Sequence, residues 1–176
     1  MPYFSRKGDQ GRSELINGRD ISKGDPIFDL LGAIDELNAF IGLAICAISD
    51  EYINDELRSI QVIFSEIMAN ISGLMRESSC EFEISESLIS LENKIDSIRK
   101  DLSLPDKFTF PGRTEAGARL DICRTYARRV ERIAVALKGG PIPRIEDFYP
   151  FLNRISTYFY LLRLKFEYLK ETPEKK

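Results

Sequence analysis

The segment that decides the fold reads Leu120-Asp-Ile-Cys-Arg-Thr-Tyr-Ala-Arg-Arg-Val-Glu-Arg-Ile-Ala-Val-Ala-Leu-Lys-Gly-Gly140. Its apolar positions recur at alternating spacings of three and four, which is the period of one face of an α-helix. These positions are Leu120, Cys123, Ala127, Val130, Ala134 and Leu137. The glycine pair at the end predicts where the helix stops, because glycine readily adopts the left-handed backbone that follows many helices. The segment is therefore predicted to be an amphipathic helix that must bury one face.

Four further segments carry the same period. Their apolar positions are Leu30, Ile34, Leu37, Ile41, Ala44 and Ile48; then Ile60, Ile63, Ile67, Ile71 and Leu74; then Leu88, Leu91, Ile95, Ile98 and Leu102; and finally Leu152, Ile155, Phe159, Leu162, Phe166 and Leu169. Asp25-Pro26 is typical of a helix start, and Ser85 is predicted to cap the third helix. No strand is predicted. The pattern favours an all-α, five-helix up-and-down bundle.

The bundle sets the predicted domain organisation. We expect a single domain over residues 1–176, with the helices within 25–170. Residues 1–24 lie outside the helical pattern and form an N-terminal segment. Residues 171–176 form a polar tail, as is common at chain ends.

Composition narrows the class of protein. The 176 residues are 43% hydrophobic and 30% charged, which is ordinary for a globular protein, and the net charge of −3 argues against a general nucleic-acid binder. No apolar run approaches the roughly 20 residues that span a bilayer, and the N-terminus lacks a signal-peptide pattern. We therefore expect a cytoplasmic protein that binds neither membranes nor nucleic acid. Its three cysteines, Cys46, Cys80 and Cys123, are expected to be reduced, buried thiols.

The chain contains no histidine. This removes imidazole acid–base catalysis, catalytic triads and most transition-metal sites. It also excludes a ferritin-like di-metal centre, which needs Glu-x-x-His pairs facing the interior of the bundle. We predict no metal-ligating residue. Any chemistry must rest on positioning, on fixed positive charge, or on a reactive group that a cofactor brings.

The polar face of the 120–137 helix carries a stripe of arginines. Arg124, Arg128 and Arg132 follow the i, i+4, i+8 line, and Arg129 and Glu131 flank it. Like charges this close repel one another, so the stripe indicates a polyanion, or acidic residues from elsewhere, on this face. A solvated basic face paired with Glu131, or an RNA-binding helix, is the alternative.

Two segments outside the helices could contribute to a site. Residues 5–13, Ser-Arg-Lys-Gly-Asp-Gln-Gly-Arg-Ser, combine glycines that let backbone N–H groups approach an anion with cationic side chains. The spacing is not that of a P-loop, and a flexible polar N-terminus is the alternative. Residues 108–112, Phe-Thr-Phe-Pro-Gly, form an apolar loop that enters the arginine helix, and simple packing over the bundle is the alternative there.

Taken together, six motifs in order resemble those of the PduO-type ATP:corrinoid adenosyltransferases. They are residues 5–13, the lysine motif Ser22-Lys-Gly-Asp25, the stretch Gly32-Ala-Ile-Asp-Glu-Leu-Asn-Ala-Phe-Ile-Gly42, the loop at 108–112, the helix at 123–132 and Leu152-Asn-Arg-Ile-Ser156. The match covers nearly the whole chain. The resemblance implies a cobalamin adenosyltransferase-like bundle that assembles as a homotrimer, with ATP and corrinoid bound between neighbouring subunits.

The resemblance also implies a reaction. The 5′-deoxyadenosyl group of ATP moves to the Co(I) of a reduced corrinoid such as cobalamin, inorganic triphosphate leaves, and Mg²⁺ accompanies the triphosphate. The nucleotide site implied by the motifs comprises Ser5, Arg6, Lys7, Gly8, Ser13 and Lys23 on one side, and Arg128, Arg129, Glu131, Arg132 and Asn153 on the other.

Three catalytic features follow from the same resemblance. Arg128 grips the triphosphate, and Arg124 pairs with Asp35 across a subunit boundary. Phe108 places an apolar ring under the corrin and excludes the lower axial ligand of cobalt. A corrinoid reductase and an adenosylcobalamin-dependent enzyme are the expected protein partners. A nucleotide-binding helical trimer without catalysis is the alternative function.

The chain departs from the family pattern at two places. Residues 113–115, Arg-Thr-Glu, are bulkier and more charged than the small residues that many relatives carry after the Pro-Gly pair. Glu14 stands where a second hydroxyl residue is common. These departures concern corrin access and nucleotide contacts, and leave the reaction class as it is.

Overall fold

A computed structural model describes residues 6, 8–15, 18–73, 84–102, 107–140, 142 and 144–168. These residues form two short strands, a 3₁₀ helix and five α-helices: β1 (Arg12–Glu14), β2 (Asp20–Ser22), α1 (Pro26–Ile45), α2 (Glu51–Gly73), α3 (Ile84–Asp101), α4 (Glu115–Ala136), the 3₁₀ helix Ile145–Phe148 and α5 (Tyr149–Tyr168). The predicted five-helix bundle is confirmed. Among the described residues, no helix combines the length and apolarity needed to cross a bilayer.

Of the three residues or pairs predicted to mark helix ends, Asp25-Pro26 and the glycine pair at 139–140 are confirmed. The N–H of Ile27 donates to the carboxylate of Asp25 at 3.0 Å, so α1 begins as the Asp25-Pro26 pair predicts. α4 gives way to a turn before Gly139, whose φ is +73°. The prediction that Ser85 caps α3 was wrong. α3 begins at Ile84, which places Ser85 within the first turn.

The apolar faces of the helices meet in one core. Tyr158, Phe64, Phe151 and Phe159 are its largest fully buried side chains. α4 packs mainly against α5 and α1, whereas α3 packs against α5 and α2 packs against α1. α4 is therefore held on both flanks by α1 and α5, and its polar face is displayed from a rigid support. Leu74 and Leu169, which the periodicity assigned to helices, lie outside the described residues.

The expectation of no strand was wrong, because β1 and β2 form a small antiparallel hairpin before α1. A turn with Gly18 at φ +79° connects the strands, and the guanidinium of Arg12 bonds the carboxylate of Asp20 at 2.6 Å. Each strand has only three residues. Alternation over so few positions does not stand out in a sequence, and this hairpin rests on a turn and a local ion pair.

The cysteines differ in their surroundings. Cys123 is fully buried, as predicted, whereas Cys46 is exposed, so the expectation of a buried thiol was wrong there. Cys46 lies just beyond the last turn of α1, where the chain leaves the core. Burial raises the pKa of Cys123 to about 12, because the thiolate is poorly solvated in an apolar core. Cys80 lies outside the described residues.

This difference predicts selective alkylation. At pH 8 a thiol of pKa about 12 is ionised in about one molecule in 10,000, and only the thiolate reacts rapidly. Iodoacetamide should therefore modify Cys46 and leave Cys123 unmodified until the protein unfolds, as peptide mass spectrometry would measure. Raising the pH to 9.5 should leave Cys123 protected, since its pKa stays well above that value. Equal labelling of both thiols in the folded protein would contradict the packing of α4.

Candidate active site

The arginine stripe lies on the outer face of α4, and its members differ in their partners. The guanidinium of Arg124 donates two hydrogen bonds to the carboxylate of Asp121, at 2.8 and 3.2 Å. These bonds raise the pKa of Arg124 above its ordinary value, so it stays charged. Arg129 donates to Glu36 on α1 at 2.9 Å. Two of the four arginines are therefore neutralised by carboxylates of the same chain.

The other two arginines keep their charge uncompensated. Arg128 and Arg132 are exposed, and neither forms an ion pair with a carboxylate among the described residues. They lie one turn apart on the same line of α4. Because a rigid helix presents both cations toward solvent, this face offers two fixed positive charges to an anion.

Glu131 does not neutralise the stripe. Its carboxylate accepts a hydrogen bond from the side-chain amide of Asn153 at 2.8 Å. The amide oxygen of Asn153 accepts from Arg154 at 2.9 Å, and Arg154 also pairs with Glu92 at 3.0 Å. The pairing with Glu131 that the alternative of a solvated basic face assumed is therefore not found among the described residues. Instead, Glu131 and Asn153 join α4 to α5 beside Arg128.

The predicted partner of Arg124 stands apart from it within one chain. Asp35 is exposed on α1 and forms no ion pair among the described residues. Arg124 already bonds Asp121 through Nε and Nη2, which leaves its Nη1 without a described partner. The described residues of one chain contain no pairing of Arg124 with Asp35, and the predicted pairing across a subunit boundary stays a prediction.

The N-terminal residues that the structure describes come together near the hairpin. Gly8, Ser13 and Lys23 line one cavity of about 530 Å³. The ammonium of Lys23 donates to the carbonyl of Gly8 at 3.2 Å, and a Cβ at Gly8 would lie 2.8 Å from that ammonium nitrogen. Arg6 is exposed, with φ of +60°. Ser5 and Lys7 lie outside the described residues.

A second cavity lies beside the end of the arginine stripe. Its volume is about 610 Å³, and it lies between the start of α1 and the end of α4. Its lining comprises Pro26, Asp29, Arg129, Arg132, Ile133, Ala136 and Leu137. Pro26 follows Lys23 by three positions, a reach of at most about 11 Å. Lys23 and the end of the arginine stripe therefore lie at the same end of the bundle.

The loop that precedes α4 displays two aromatic rings to solvent. Phe108 is 85% exposed and Phe110 is 78% exposed. The two rings contact edge to face, with centroids 5.3 Å apart. The alternative in which this loop simply packs over the bundle is therefore wrong for both rings. Adjacent exposed aromatic rings are typical of a surface that contacts an apolar ligand or partner.

Sequence reasoning missed four charged residues around this site. Glu36 pairs with Arg129, and Asp121, Arg163 and Glu167 form a buried group at the junction of α4, α5 and the Phe108 loop. Charges inside the apolar stripe of the last helix were the available signal. Arg163 and Glu167 stand four positions apart there, and charged residues are rarely buried without partners. The guanidinium of Arg113, a residue that departs from the family pattern, lies over the ring of Tyr168 at 4.6 Å.

Fold and site together define a helical-bundle protein with a rigid basic face and a glycine- and lysine-containing segment at one end. Comparison with known families gives the class. Residues 3–166 match the family model described as cobalamin adenosyltransferase. The chain belongs to this family, and the resemblance seen in its motifs is confirmed.

Curated relatives agree with this family. The chain is 34% identical over 164 residues to the corrinoid adenosyltransferase PduO of Salmonella typhimurium, covering 92% of this chain and 48% of that protein. It is 33% identical over 166 residues to a corrinoid adenosyltransferase of Bacillus subtilis, covering 91% and 83%. The chain therefore spans about half the length of the PduO relative and most of the Bacillus relative.

Solved structures give the same result at the level of fold. One is a variant PduO-type ATP:corrinoid adenosyltransferase from Lactobacillus reuteri complexed with cobalamin and ATP. It superposes with a TM-score of 0.87 at 28% identity, covering 96% of this chain and 92% of that chain. Another variant from the same organism, complexed with ATP, has a TM-score of 0.85 at 29% identity, covering 96% and 95%.

Proposed function

We propose that this protein transfers the 5′-deoxyadenosyl group of ATP to the Co(I) of a reduced corrinoid. The observation that carries the proposal is the pair of uncompensated cations, Arg128 and Arg132, on a face where the other two arginines are neutralised. Arg132 lies beside Pro26, at the end of the bundle where the lysine segment meets α1, and Arg128 lies one turn away along α4. The relatives and solved neighbours that bind ATP and cobalamin, or are named for this activity, support the same reading.

The chemistry suits a chain without histidine. The Co(I) of the corrinoid substrate is itself a strong nucleophile and attacks C5′ of ATP. A Co–C bond forms, the C5′–O bond breaks, and its electron pair leaves on the oxygen of the triphosphate. No protein base is needed, since the substrate supplies the reactive electron pair. The protein has to orient the two substrates for in-line attack and stabilise the leaving polyanion.

In this proposal Arg128 grips the triphosphate. Negative charge builds on the leaving oxygen as the C5′–O bond breaks, so a fixed guanidinium binds the transition state more tightly than the bound substrate. Arg132 adds a second cation one turn further along. Arg129 joins them by exchanging Glu36 for phosphate. That pair is about half exposed, and such pairs contribute at most about 1 kcal/mol, so a polyanion can replace the carboxylate.

The remaining nucleotide contacts come from the N-terminal segment. Gly8, Ser13 and Lys23 are grouped around one cavity, as a phosphate- or ribose-binding segment requires. We propose that Ser5, Arg6 and Lys7 extend this set, and that residues 1–24 and the bundle act as one adenosyltransferase domain. Glu131 and Asn153 complete the α4 side, where their mutual hydrogen bond holds them beside Arg128.

The proposed assembly is a homotrimer with sites between subunits. Among the described residues, the exposed carboxylate of Asp35 forms no ion pair and Nη1 of Arg124 has no partner. Both support the assembly, because each offers a charge that a neighbouring copy can meet. A corrinoid reductase, an adenosylcobalamin-dependent enzyme and a cytoplasmic location are further predictions of the same family reading.

Mg²⁺ fits this site as a companion of the triphosphate. In the part of the chain that the structure describes, no three acidic or cysteine side chains group to hold a metal. Mg²⁺ is commonly held by phosphate oxygens and water with few protein ligands. Glu131 is the carboxylate in the predicted nucleotide set that could orient a metal-bound water. The ion would neutralise part of the triphosphate charge.

An anaerobic adenosylation assay tests the proposal. The protein is mixed with ATP, Mg²⁺ and chemically reduced cobalamin or cobinamide, and the cobalt spectrum and the phosphate product are followed together. We expect Co–C bond formation with one triphosphate released per adenosyl group, and no reaction without ATP or without protein. Binding of ATP with no Co–C bond for any corrinoid would identify the alternative, a nucleotide-binding trimer without catalysis.

A further inference from the structure

Two charged side chains lie buried near the C-terminal end of α5. The side chains of Arg163 and Glu167 are 3% and 0% exposed, and the guanidinium Nε lies 2.9 Å from carboxylate Oε2. They stand four positions apart and so face the same side of the helix. A buried ion pair is costly to desolvate and is retained only where further hydrogen bonds satisfy its remaining atoms. The remaining donor and acceptor atoms of this pair therefore need partners elsewhere in the chain.

The bonds go to the loop that carries Phe108. Carboxylate Oε1 of Glu167 accepts from the backbone N–H of Gly112 at 2.8 Å and of Arg113 at 3.2 Å. Nη2 of Arg163 donates to both the carbonyl and the hydroxyl of Thr109, each at 3.1 Å. The pair thus binds the loop on both sides of its turn, whereas the Phe108 ring itself stays exposed.

The same group continues to the arginine stripe. Nη1 of Arg163 lies 3.5 Å from the carboxylate of Asp121, which in turn binds Arg124. Charges alternate along the four residues, from Glu167 through Arg163 and Asp121 to Arg124, so the group is electrically neutral. One continuous set of ion pairs therefore joins the Phe108 loop to the first arginine of α4.

Gly117 of α4 provides the space that the side chain of Glu167 occupies. A Cβ at Gly117 would lie 2.5 Å from Cγ of Glu167, nearer than carbon atoms approach without displacement. Only glycine at position 117 lets Glu167 reach the loop from α5. Glycine is normally unfavourable within a helix. Its presence at position 117 is explained by the space that it leaves for the side chain of Glu167.

We propose that Arg163 and Glu167 are positioning residues that hold the Phe108 loop in place for the reaction. The inference rests on the proposed function. The Phe108 ring contacts Phe110, but that ring is also exposed on the same loop, so the contact does not attach the loop to the bundle. The buried pair instead fixes the height of the ring through the loop backbone. The pair touches neither substrate, and it acts through Phe108.

The test uses Glu167→Gln, which keeps the side-chain shape and a carbonyl acceptor but removes the charge. We expect adenosylation that starts from Co(II) corrinoid with a reductant to fall about tenfold or more, as when other outer residues that orient a metal site are changed. The reaction that starts from Co(I) should change about twofold or less, and KM for ATP should stay constant. Electron paramagnetic resonance should show less four-coordinate Co(II) corrinoid bound to the variant with ATP.

Two further variants separate positioning from general stability. If Glu167 acts through Phe108, the double variant Glu167→Gln with Phe108→Ala should be no slower from Co(II) than Phe108→Ala alone. Glu56→Gln is the matched control, because the whole-residue exposures of Glu56 and Glu167, backbone included, are 8% and 9%. Glu56 accepts a hydrogen bond from Tyr158 at 2.7 Å and pairs with Lys94 at 3.3 Å, away from the loop. It should lower the melting temperature without changing the ratio of the two assays.

The outcomes separate this inference from the proposed function. Hydrogen exchange needs no activity, and it should show the Gly112 and Arg113 amides protected in the unaltered protein. They should be less protected in Glu167→Gln, because a single amide oxygen has to replace the two oxygens that bind the loop and Arg163. Unprotected amides in the unaltered protein, or equal and additive losses in both assays, would overturn the positioning role. If Glu167→Gln fails to fold, Gly117→Ala repeats the test, because the added methyl group would displace the side chain of Glu167 from the loop. An unaltered protein that forms no Co–C bond would reject the proposed function itself.

Discussion

Arg128→Ala is expected to lower the rate of adenosyl transfer from Co(I) by about 100- to 1,000-fold, which is the usual effect of removing one preorganised charge from a developing anion. The protein should stay folded, because Arg128 is exposed and forms no ion pair among the described residues. Surface substitutions of this kind change stability by about 0.5 kcal/mol or less. The loss should fall mainly on kcat, since the contact strengthens as the triphosphate leaves.

The measurement is steady-state adenosylation with saturating chemically reduced cobalamin, together with the melting temperature and the oligomeric state. Arg58→Ala is the matched control, because Arg58 is an exposed arginine on α2 that pairs with Asp55 at 2.8 Å. That variant should behave as the unaltered protein. Arg128→Lys should recover only part of the rate, since an ammonium lacks the planar fork of guanidinium. Near-normal kinetics for Arg128→Ala would reject the triphosphate site proposed here.

Phe108→Ala has the second large expected effect, and it should depend on the oxidation state supplied. With chemically prepared Co(I), the variant should keep most of its rate. Starting from Co(II) with a reductant, the rate should fall by about 100-fold, because a lower axial ligand that returns to cobalt makes its reduction harder. An apolar surrounding that excludes a ligand is one of the ways a protein raises a reduction potential. Phe108 is available for this role since its ring is 85% exposed.

The Co(I) and Co(II) assays are run on the same preparation. Any loss of folded protein then lowers both rates equally and does not change their ratio. Tyr52→Ala controls for the loss of an exposed ring, because Tyr52 is 71% exposed on α2, outside the Phe108 loop. Its ratio should match the unaltered protein. Equal losses from Co(I) and Co(II) in Phe108→Ala would reject the axial-ligand role and leave the ring as a simple binding contact.

The fold was predictable because each helix carries its own signals. Apolar positions at spacings of three and four identify the buried face of α4 with no knowledge of its neighbours, and Asp25-Pro26 marks the start of α1 through local bonding alone. The β1–β2 hairpin was missed since its three-residue strands are too short to show a period. Ser85 was predicted to cap α3 but lies just inside it, because the helix begins one residue earlier, at Ile84. Sequence signals rarely fix a helix end to a single residue.

The site was predictable only in its composition. The sequence placed four arginines on one face of α4, and that face is where the structure shows them. The pairing of Arg129 depended on a distant residue, because Glu36 is 93 positions away in the chain. Arg124 instead meets Asp121, only three positions away in the same helix. The spacing of Arg163 and Glu167 was visible in the sequence, but the pair binds loop residues 54 and 55 positions away, and those contacts could not be read from the local sequence.

By itself, then, the sequence determined the five helices, the exposed stripe of α4 and, through its motifs, the cobalamin adenosyltransferase family. These depend on periodicity and on residues near one another in the chain. Only the tertiary structure decided that Arg128 and Arg132 form no ion pair with the described residues, and that a buried ion pair of α5 holds the Phe108 loop. Ion pairing depends on distances between side chains that folding brings together, and the order of residues along the chain does not contain those distances.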